Sequence, residues 1–251
     1  MDVGLKDRFL ESWGKYFDGA GLPLCFYYTN DESLIASPPG TLSRCVINVL
    51  NKVRDGKSLV LDVESVGCPG GKKYLGFKTS IRDDFEFFLS CGIPGSVEGE
   101  RYKKSTGLVR EMLQAETVFT APGRFVVFKR WDKLEVLDKP AVAVFFAGPD
   151  VLAGLFTLAN FDEAGPDGVF CPFGSGCSTI IRYPFLESLS PHPRGVIGLF
   201  DISARPFLLP NTLSFAVPWS KLMSMLANMD ESFLVTPSWS KVRKRIMEGK
   251  A

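Results

Sequence analysis

The chain has 251 residues, and its composition, 45% hydrophobic and 23% charged, is that of a globular protein with a large core and excludes a disordered chain. Its 29 Lys and Arg residues balance 28 Asp and Glu residues, which argues against nucleic acid as a partner. Charged residues interrupt the N-terminus, and the longest apolar run, at 141–147, is too short to cross a bilayer, so we expect a cytoplasmic protein with no export signal and no membrane partner.

The N-terminal part of the chain predicts two helices with a strand between them. Apolar residues recur at helical spacing over Leu5–Tyr16, and glycines follow as stop signals. The aromatic-rich run Leu22–Tyr28 is expected to form a buried strand. A second helical pattern covers Thr41–Gly56 and places Cys45 on its apolar face.

The middle of the chain predicts mostly short strands, each bounded by turn residues. In chain order, the patterns predict strands at Ser58–Val63, Lys73–Phe77 and Phe85–Ser90, a helix at Leu108–Glu116, strands at Phe125–Lys129 and Ala141–Ala147, and a helix at Asp150–Asn160. The strand at Ala141–Ala147 is apolar on both faces, which is typical of a central strand that helices cover on both sides.

The last third of the chain predicts a loop and then alternating helices and strands. A short helix follows Gly176, strands cover Gly195–Asp201 and Leu213–Val217, and helices begin near Pro218 and Pro237, where proline suits the first turn. The final helix carries a stripe of apolar residues, and we expect this stripe to dock on the core while the basic residues of the helix face water. The stripe consists of Trp239, Val242 and Ile246.

Taken together, these elements predict an α/β (α+β) fold, with residues 1–251 forming one domain whose mixed sheet is covered by helices. The two halves also resemble each other. Each has a cysteine-bearing helix, at Cys45 and Cys177, followed by a glycine-bearing strand, at Tyr74–Phe77 and Ile197–Phe200. We therefore consider a pseudo-duplicated unit.

Six cysteines in a cytoplasmic chain of this size are expected to be reduced thiols or metal ligands rather than disulfides. Cys25 and Cys91 lie in apolar runs that predict strands, where a free cysteine behaves as a small hydrophobic residue. We therefore expect both to be buried in the core.

The other four cysteines lie beside glycine, proline or a helix start, where a thiol can point into a pocket. They are Cys45, Cys68, Cys171 and Cys177. Four thiolates can bind zinc or an iron–sulfur cluster, so these four are the predicted metal ligands and are expected to converge in space. Their spacing matches no recognised ligand pattern and the chain has no CxxC motif, so separate buried or reactive thiols remain an alternative.

Glycines next to these cysteines suggest sites where backbone amides approach a bound group. The candidate cofactor-binding residues are Gly70, Gly71, Gly174 and Gly176. Two lysines follow the first pair, a combination that suits an anion, but neither segment has the spacing of a nucleotide-binding loop.

A different hypothesis makes Cys177 a catalytic nucleophile. At a helix N-terminus the positive end of the dipole lowers the pKa of a thiol and holds an oxyanion. The only histidine, His192, lies between two prolines in a predicted loop, so no supporting base is evident. Downstream, Asp201 and Arg205 are expected on one face of a continuing strand, where they could form an ion pair.

Four segments in a fixed order carry a resemblance to a known family. They are the stretch from Arg44 to Phe77 with its Gly-Cys-Pro-Gly turn, FCPFGSGCSTIIRYP from Phe170, GVIGLFDISARPF from Gly195, and SFAVPW from Ser214. Through these four segments, the chain resembles the uncharacterised ArCR family of archaea and bacteria over nearly its whole length. Because the function of that family is unknown, the resemblance implies no activity and no catalytic residue.

The sequence therefore leaves three functional hypotheses. The first is a cysteine-lined binding or redox-accessory protein that holds zinc or an iron–sulfur cluster. The second is a thiol-dependent enzyme that acts through Cys177. The third is a structural or interaction protein without a cofactor. The oligomeric state is open, and a homo-oligomer is compatible with the sequence.

Overall fold

The core of the molecule is a single mixed sheet. A computed structural model describes residues 2–35 and 45–249, and seven strands in these residues form the sheet. The strands are β1 (Leu24–Thr29), β2 (Leu59–Leu61), β3 (Phe125–Arg130), β4 (Val142–Ala147), β5 (Val169–Phe170), β6 (Gly195–Gly198) and β7 (Leu213–Pro218). Their order is β2-β3-β1-β4-β7-β6-β5, and neighbours are antiparallel except β5 and β6.

Helices pack on both faces of this sheet. They are α1 (Val3–Tyr16), α2 (Val46–Arg54), α3 (Pro69–Tyr74), α4 (Phe85–Phe88), α5 (Thr106–Gln114), α6 (Pro149–Ala159), α7 (Tyr183–Glu187), α8 (Trp219–Asn228) and α9 (Pro237–Glu248). A π-helical turn, Ser178–Arg182, leads directly into α7. Within residues 2–35 and 45–249, no helix is both long and apolar enough to span a membrane.

The central strand β4 separates two hydrophobic cores. Ala143 and Phe145 belong to the core beneath α1, α6, α8 and α9, whereas Val142 and Val144 belong to the core beneath α2 and α3. Since successive side chains of a strand point to opposite faces, a strand covered on both sides is apolar throughout. The central place predicted for this strand and the α/β fold are both confirmed.

Two predicted strands are helices in the structure. The segment expected as a strand at Lys73–Phe77 begins in the last turn of α3 and continues into a turn, because Cys68 has the extended backbone of an N-cap and Pro69 occupies the first helical turn. The segment predicted as a strand at Phe85–Ser90 begins with the short helix α4. The glycine-bearing segment Tyr74–Phe77 of the first half is thus not a strand, whereas its expected counterpart in the second half includes the end of β6. The predicted pseudo-duplication is wrong for this pair of elements.

Three further boundaries differ from the sequence patterns. Strand β6 ends at Gly198 rather than Asp201, because Leu199 has a positive φ of 68° that an extended strand cannot contain. The two-residue strand β5 falls in a predicted loop, since it is too short to show a periodicity. The predicted start of α2 at Thr41 lies outside the described residues.

The last helix docks on the core as expected. Trp239 is buried, and its Nε1 donates a hydrogen bond to the carbonyl oxygen of Tyr16 at 2.9 Å. Its ring lies against Gly154 on α6, where a Cβ atom would be only 2.4 Å from the ring. Val242 and Ile246 pack against the same core.

We expect Trp239→Ala to lower the free energy of unfolding by about 3–5 kcal/mol, because it removes a large buried side chain and leaves a cavity. The control is Lys241→Ala on the exposed face of the same helix, where a change within about 0.5 kcal/mol is expected. Urea unfolding measures both. Equal stabilities of the two variants would show that α9 contributes nothing to the core.

Candidate functional site

A cavity of about 600 Å³ opens beside the core beneath α2 and α3. Three of its lining residues are Cys45, Cys68 and Cys177, and we call it the thiol cavity. Most of its remaining side chains are aromatic or aliphatic. The aromatic ones include Tyr74, Phe85, Phe88, Phe173, Tyr183 and Phe200.

Each of the three cysteines lies at the start of a helix. Cys45 is the N-cap of α2 and Cys68 is the N-cap of α3. Cys177 lies in the first turn of the continuous helical segment 176–187, which contains the π-helical turn and α7. Because the first amides of a helix have no partner within the helix, these starts present N–H groups near the thiols. The Gly71 amide donates to Cys68 Sγ at 3.5 Å.

Two glycines let the helix starts approach each other. A Cβ atom on Gly71 would lie 3.0 Å from methyl groups of Val46 and Val66, and a Cβ atom on Gly176 would lie 3.1 Å from Ile47 Cγ1. Since Val46 and Ile47 open α2, the start of this helix packs against the starts of both others. The close contacts therefore explain why these two positions are glycine.

All four glycines singled out by the sequence line the thiol cavity. Gly70 differs from Gly71, because a Cβ atom on Gly70 would meet its nearest neighbour, Cys68 Sγ, at an ordinary 3.9 Å. A Cβ atom on Gly174 would lie 3.3 Å from the Tyr183 ring, a contact between these two cases in closeness. Packing accounts for Gly71 and Gly176, and a cofactor-binding role for the four stays a prediction.

The chain after β6 places a carboxylate at the same wall. Leu199, with its left-handed backbone, donates its amide to Thr179 Oγ1 at 3.3 Å. Two residues later, Asp201 Oδ2 accepts a hydrogen bond from the Gly176 amide at 3.1 Å. Asp201 Oδ1 accepts further bonds from the amide and hydroxyl of Ser203 at 3.1 and 2.8 Å. The carboxylate thus joins the loop after β6 to the helix that carries Cys177.

Comparison with known proteins agrees with the sequence resemblance. The model of the uncharacterised ArCR family matches residues 19–228, most of the chain. The chain belongs to the uncharacterised ArCR family. No curated protein and no solved structure matches it. The function of this ArCR protein is unknown, and its site has to be interpreted from its own geometry.

Burial raises the pKa of two of the cysteine thiols at the cavity wall of the ArCR protein. It raises the pKa of Cys177 well above the usual value, and negative charge on Cys45, Cys68 and Asp201 raises it further. The lowering expected from the helix start is therefore wrong, and the Cys177 thiol stays protonated at neutral pH. Burial also raises the pKa of Cys45, although the Ile47 and Asn48 amides oppose this.

The remaining cysteines lie apart from the cavity wall. Cys171 is exposed and does not line the cavity, although Pro172 and Phe173 do. Cys25 is buried, as predicted, but Cys91 is exposed and its predicted burial is wrong, because it lies in a loop beyond the helix α4 rather than in a strand. In the described part of the chain, no group of three or more His, Cys, Asp or Glu side chains is arranged to hold a metal ion.

The predicted polar partners are also displaced. His192 is exposed and does not line the cavity, so it is no base for Cys177. The expected pair of Asp201 with Arg205 is wrong, since the Arg205 guanidinium donates to the carbonyls of Pro210 and Thr212. The extended strand that would have placed Asp201 and Arg205 on one face ends before both of them.

Charges at the cavity wall are mostly compensated. Glu116 pairs with Lys73 at 2.5 Å and with Arg182 at 2.9 Å, while Arg82 pairs with Asp84. Among the described residues, Asp201 has hydrogen bonds but no ion pair. Since Glu116 has two cationic partners, these groups together carry no excess negative charge. Sequence reasoning identified Asp201 but not its position at the cavity wall, which depends on the turn at Leu199.

We expect Gly71→Ala to destabilise the protein by about 1–3 kcal/mol, because the added methyl group overpacks the contact with Val46 and Val66. The matched control is Gly70→Ala in the same helical turn, where there is room and alanine is favoured by up to about 1 kcal/mol. Chemical unfolding compares the two. A Gly71→Ala variant as stable as Gly70→Ala would contradict the close packing of the helix starts.

Proposed function

We propose that this protein binds a small, largely apolar molecule in the thiol cavity, with its cysteines in contact with the bound molecule. The proposal rests on one observation, a cavity of about 600 Å³ that is lined mainly by aromatic and aliphatic residues and by three cysteines. Ligand cavities of proteins commonly enclose about 300–1,000 Å³ and combine apolar walls with a few polar groups.

Exposed apolar side chains at the cavity support an apolar ligand. Phe173, Phe200 and Ile202 line the cavity, yet 61%, 55% and 67% of their surfaces remain accessible to water. Covering such surface is favourable by about 25 cal/mol per Å². A bound molecule that contacts these residues would gain this free energy.

The carboxylate of Asp201 favours a neutral or cationic molecule over an anion beside it. Asp201 has no ion pair among the described residues and would repel a bound carboxylate or phosphate. Lys73, one of the two lysines expected to attract an anion, is paired with Glu116 instead. Aromatic walls also accommodate cations through their ring faces.

The neutral fluorophore N-phenyl-1-naphthylamine tests the proposal. We expect saturable binding with enhanced emission, and weaker binding of anilinonaphthalene sulfonate, which is anionic. Phe88→Ala removes part of the cavity wall and is expected to weaken binding, whereas Phe161→Ala removes an exposed ring that does not line the cavity. Equal loss in both variants, or no saturation, would contradict binding in the cavity.

Thiol labelling locates the bound fluorophore independently. With N-phenyl-1-naphthylamine present, alkylation of Cys45 and Cys68 by iodoacetamide is expected to slow several-fold, as read by peptide mass spectrometry. Cys91 and Cys171 are exposed and lie off the cavity, so their rates are expected to stay constant as internal controls. Protection of all four, or of none, would place the fluorophore elsewhere.

A further inference from the structure

We infer that Tyr74 selects, among apolar molecules, those that carry a neutral carbonyl oxygen, to which its hydroxyl donates a hydrogen bond. The inference rests on the function proposed above, because it names the chemical class of the molecule bound in the thiol cavity. Tyr74 is the last residue of α3 and lines this cavity. It is thus a specificity-determining residue of the same site.

The hydrogen bonds of the six tyrosines set Tyr74 apart. All six tyrosines lie in the described residues. Four of the hydroxyls have partners within the protein, and they belong to Tyr16, Tyr27, Tyr28 and Tyr102. The hydroxyls of Tyr74 and Tyr183 have no hydrogen-bond partner in the described part of the chain, and both residues line the thiol cavity. The unpaired tyrosine hydroxyls are therefore confined to the cavity.

Deep burial makes the unpaired hydroxyl of Tyr74 informative. Only 8% of the surface of Tyr74 is accessible to water, and its ring belongs to the core beneath α2 and α3. The titratable groups that act on its hydroxyl include Glu116, Cys177 and Tyr183, which line the cavity, so the hydroxyl lies at the cavity wall. Buried hydroxyls normally have a hydrogen-bond partner. A molecule in the cavity can supply this partner.

The hydroxyl of Tyr74 is available as a donor. Burial raises the pKa of Tyr74 well above its usual value, and the charge of Glu116 raises it further, so the hydroxyl keeps its proton at neutral pH. Glu116 does not accept this proton in a hydrogen bond. Its two oxygens pair instead with Lys73 at 2.5 Å and with Arg182 at 2.9 Å.

A neutral carbonyl oxygen fits this donor. It accepts a hydrogen bond and brings no proton that would need an acceptor of its own. An apolar molecule without an acceptor would cover the hydroxyl, separate it from water and leave it unpaired, which lowers affinity. A carboxylate would also accept the bond, but Asp201 lines the same cavity and repels an anion. The expected class is therefore ketones and esters with an apolar body.

Two naphthalene derivatives of similar shape test the inference by displacing N-phenyl-1-naphthylamine. 2-Acetylnaphthalene has a carbonyl oxygen where 2-isopropenylnaphthalene has a CH₂ group. Tyr74→Phe removes only the hydroxyl, and it is expected to weaken binding of the ketone by about three- to tenfold. Binding of the alkene is expected to stay the same or to strengthen. Each probe is compared between the two proteins, so the different solubilities of the probes in water cancel.

Tyr16→Phe is the matched control. It removes a tyrosine hydroxyl that donates to Asp230, and it lies in the other core, away from the cavity. It should leave the affinities for both probes unchanged. The anion 2-naphthoate should displace the fluorophore from the unaltered protein less effectively than 2-acetylnaphthalene does.

Infrared difference spectra of 2-acetylnaphthalene, labelled with ¹³C at its carbonyl, locate the hydrogen bond directly. A hydrogen bond weakens the C=O bond, so the carbonyl stretch of the bound ketone should have a lower frequency in the unaltered protein than in Tyr74→Phe. A change of structure elsewhere in the protein would alter affinity without this shift.

Three results would overturn the inference. They are equal changes in the affinities for the ketone and the alkene in Tyr74→Phe, a carbonyl frequency that is the same in both proteins, and tighter binding of 2-naphthoate than of 2-acetylnaphthalene. In all three cases N-phenyl-1-naphthylamine would still bind in the cavity, so only the inference would fail. Loss of saturable binding of that fluorophore would instead contradict the proposed function, and the inference with it.

Discussion

Close packing at the start of α2 is the constraint on which the site depends. A Cβ atom on Gly71 or Gly176 would lie only 3.0 or 3.1 Å from Val46 or Ile47, with which this helix begins. Three helical segments consequently begin at one wall, and each brings a cysteine to it. Larger residues at the two glycines would separate the helix starts, and the thiols would separate with them.

The same wall combines an apolar cavity with a buried thiol whose pKa is raised. An apolar cavity loses packing contacts that a filled core would have, so it lowers stability unless something binds there. Burial raises the pKa of Cys177, and the charge of Asp201 raises it further. The apolar ligand proposed above would fill this space and restore the lost contacts.

The sequence predicts the strongly patterned elements and fails where tertiary contacts decide. β4 and α9 follow from an apolar run and from an apolar stripe at helical spacing. The helix α3 is short and depends on its cap at Cys68, so its apolar end was interpreted as a strand. Cys171 was grouped with the other thiols because its local sequence is similar, but a turn does not reveal which way a side chain points. The position of Asp201 depends on the left-handed Leu199, which no periodicity indicates.

The convergence of the thiols is the central claim, and a short cross-linker tests it most directly. In a variant with Cys25, Cys91 and Cys171 replaced by serine, propanediyl bismethanethiosulfonate should join Cys45 to Cys68 within one chain, as read by intact mass and peptide mapping. With Cys171 restored in place of Cys68, peptide mapping should show no cross-link that involves Cys171. A first variant with only single adducts on Cys45 and Cys68, or a second variant with a cross-link from Cys45 to Cys171, would contradict a shared wall.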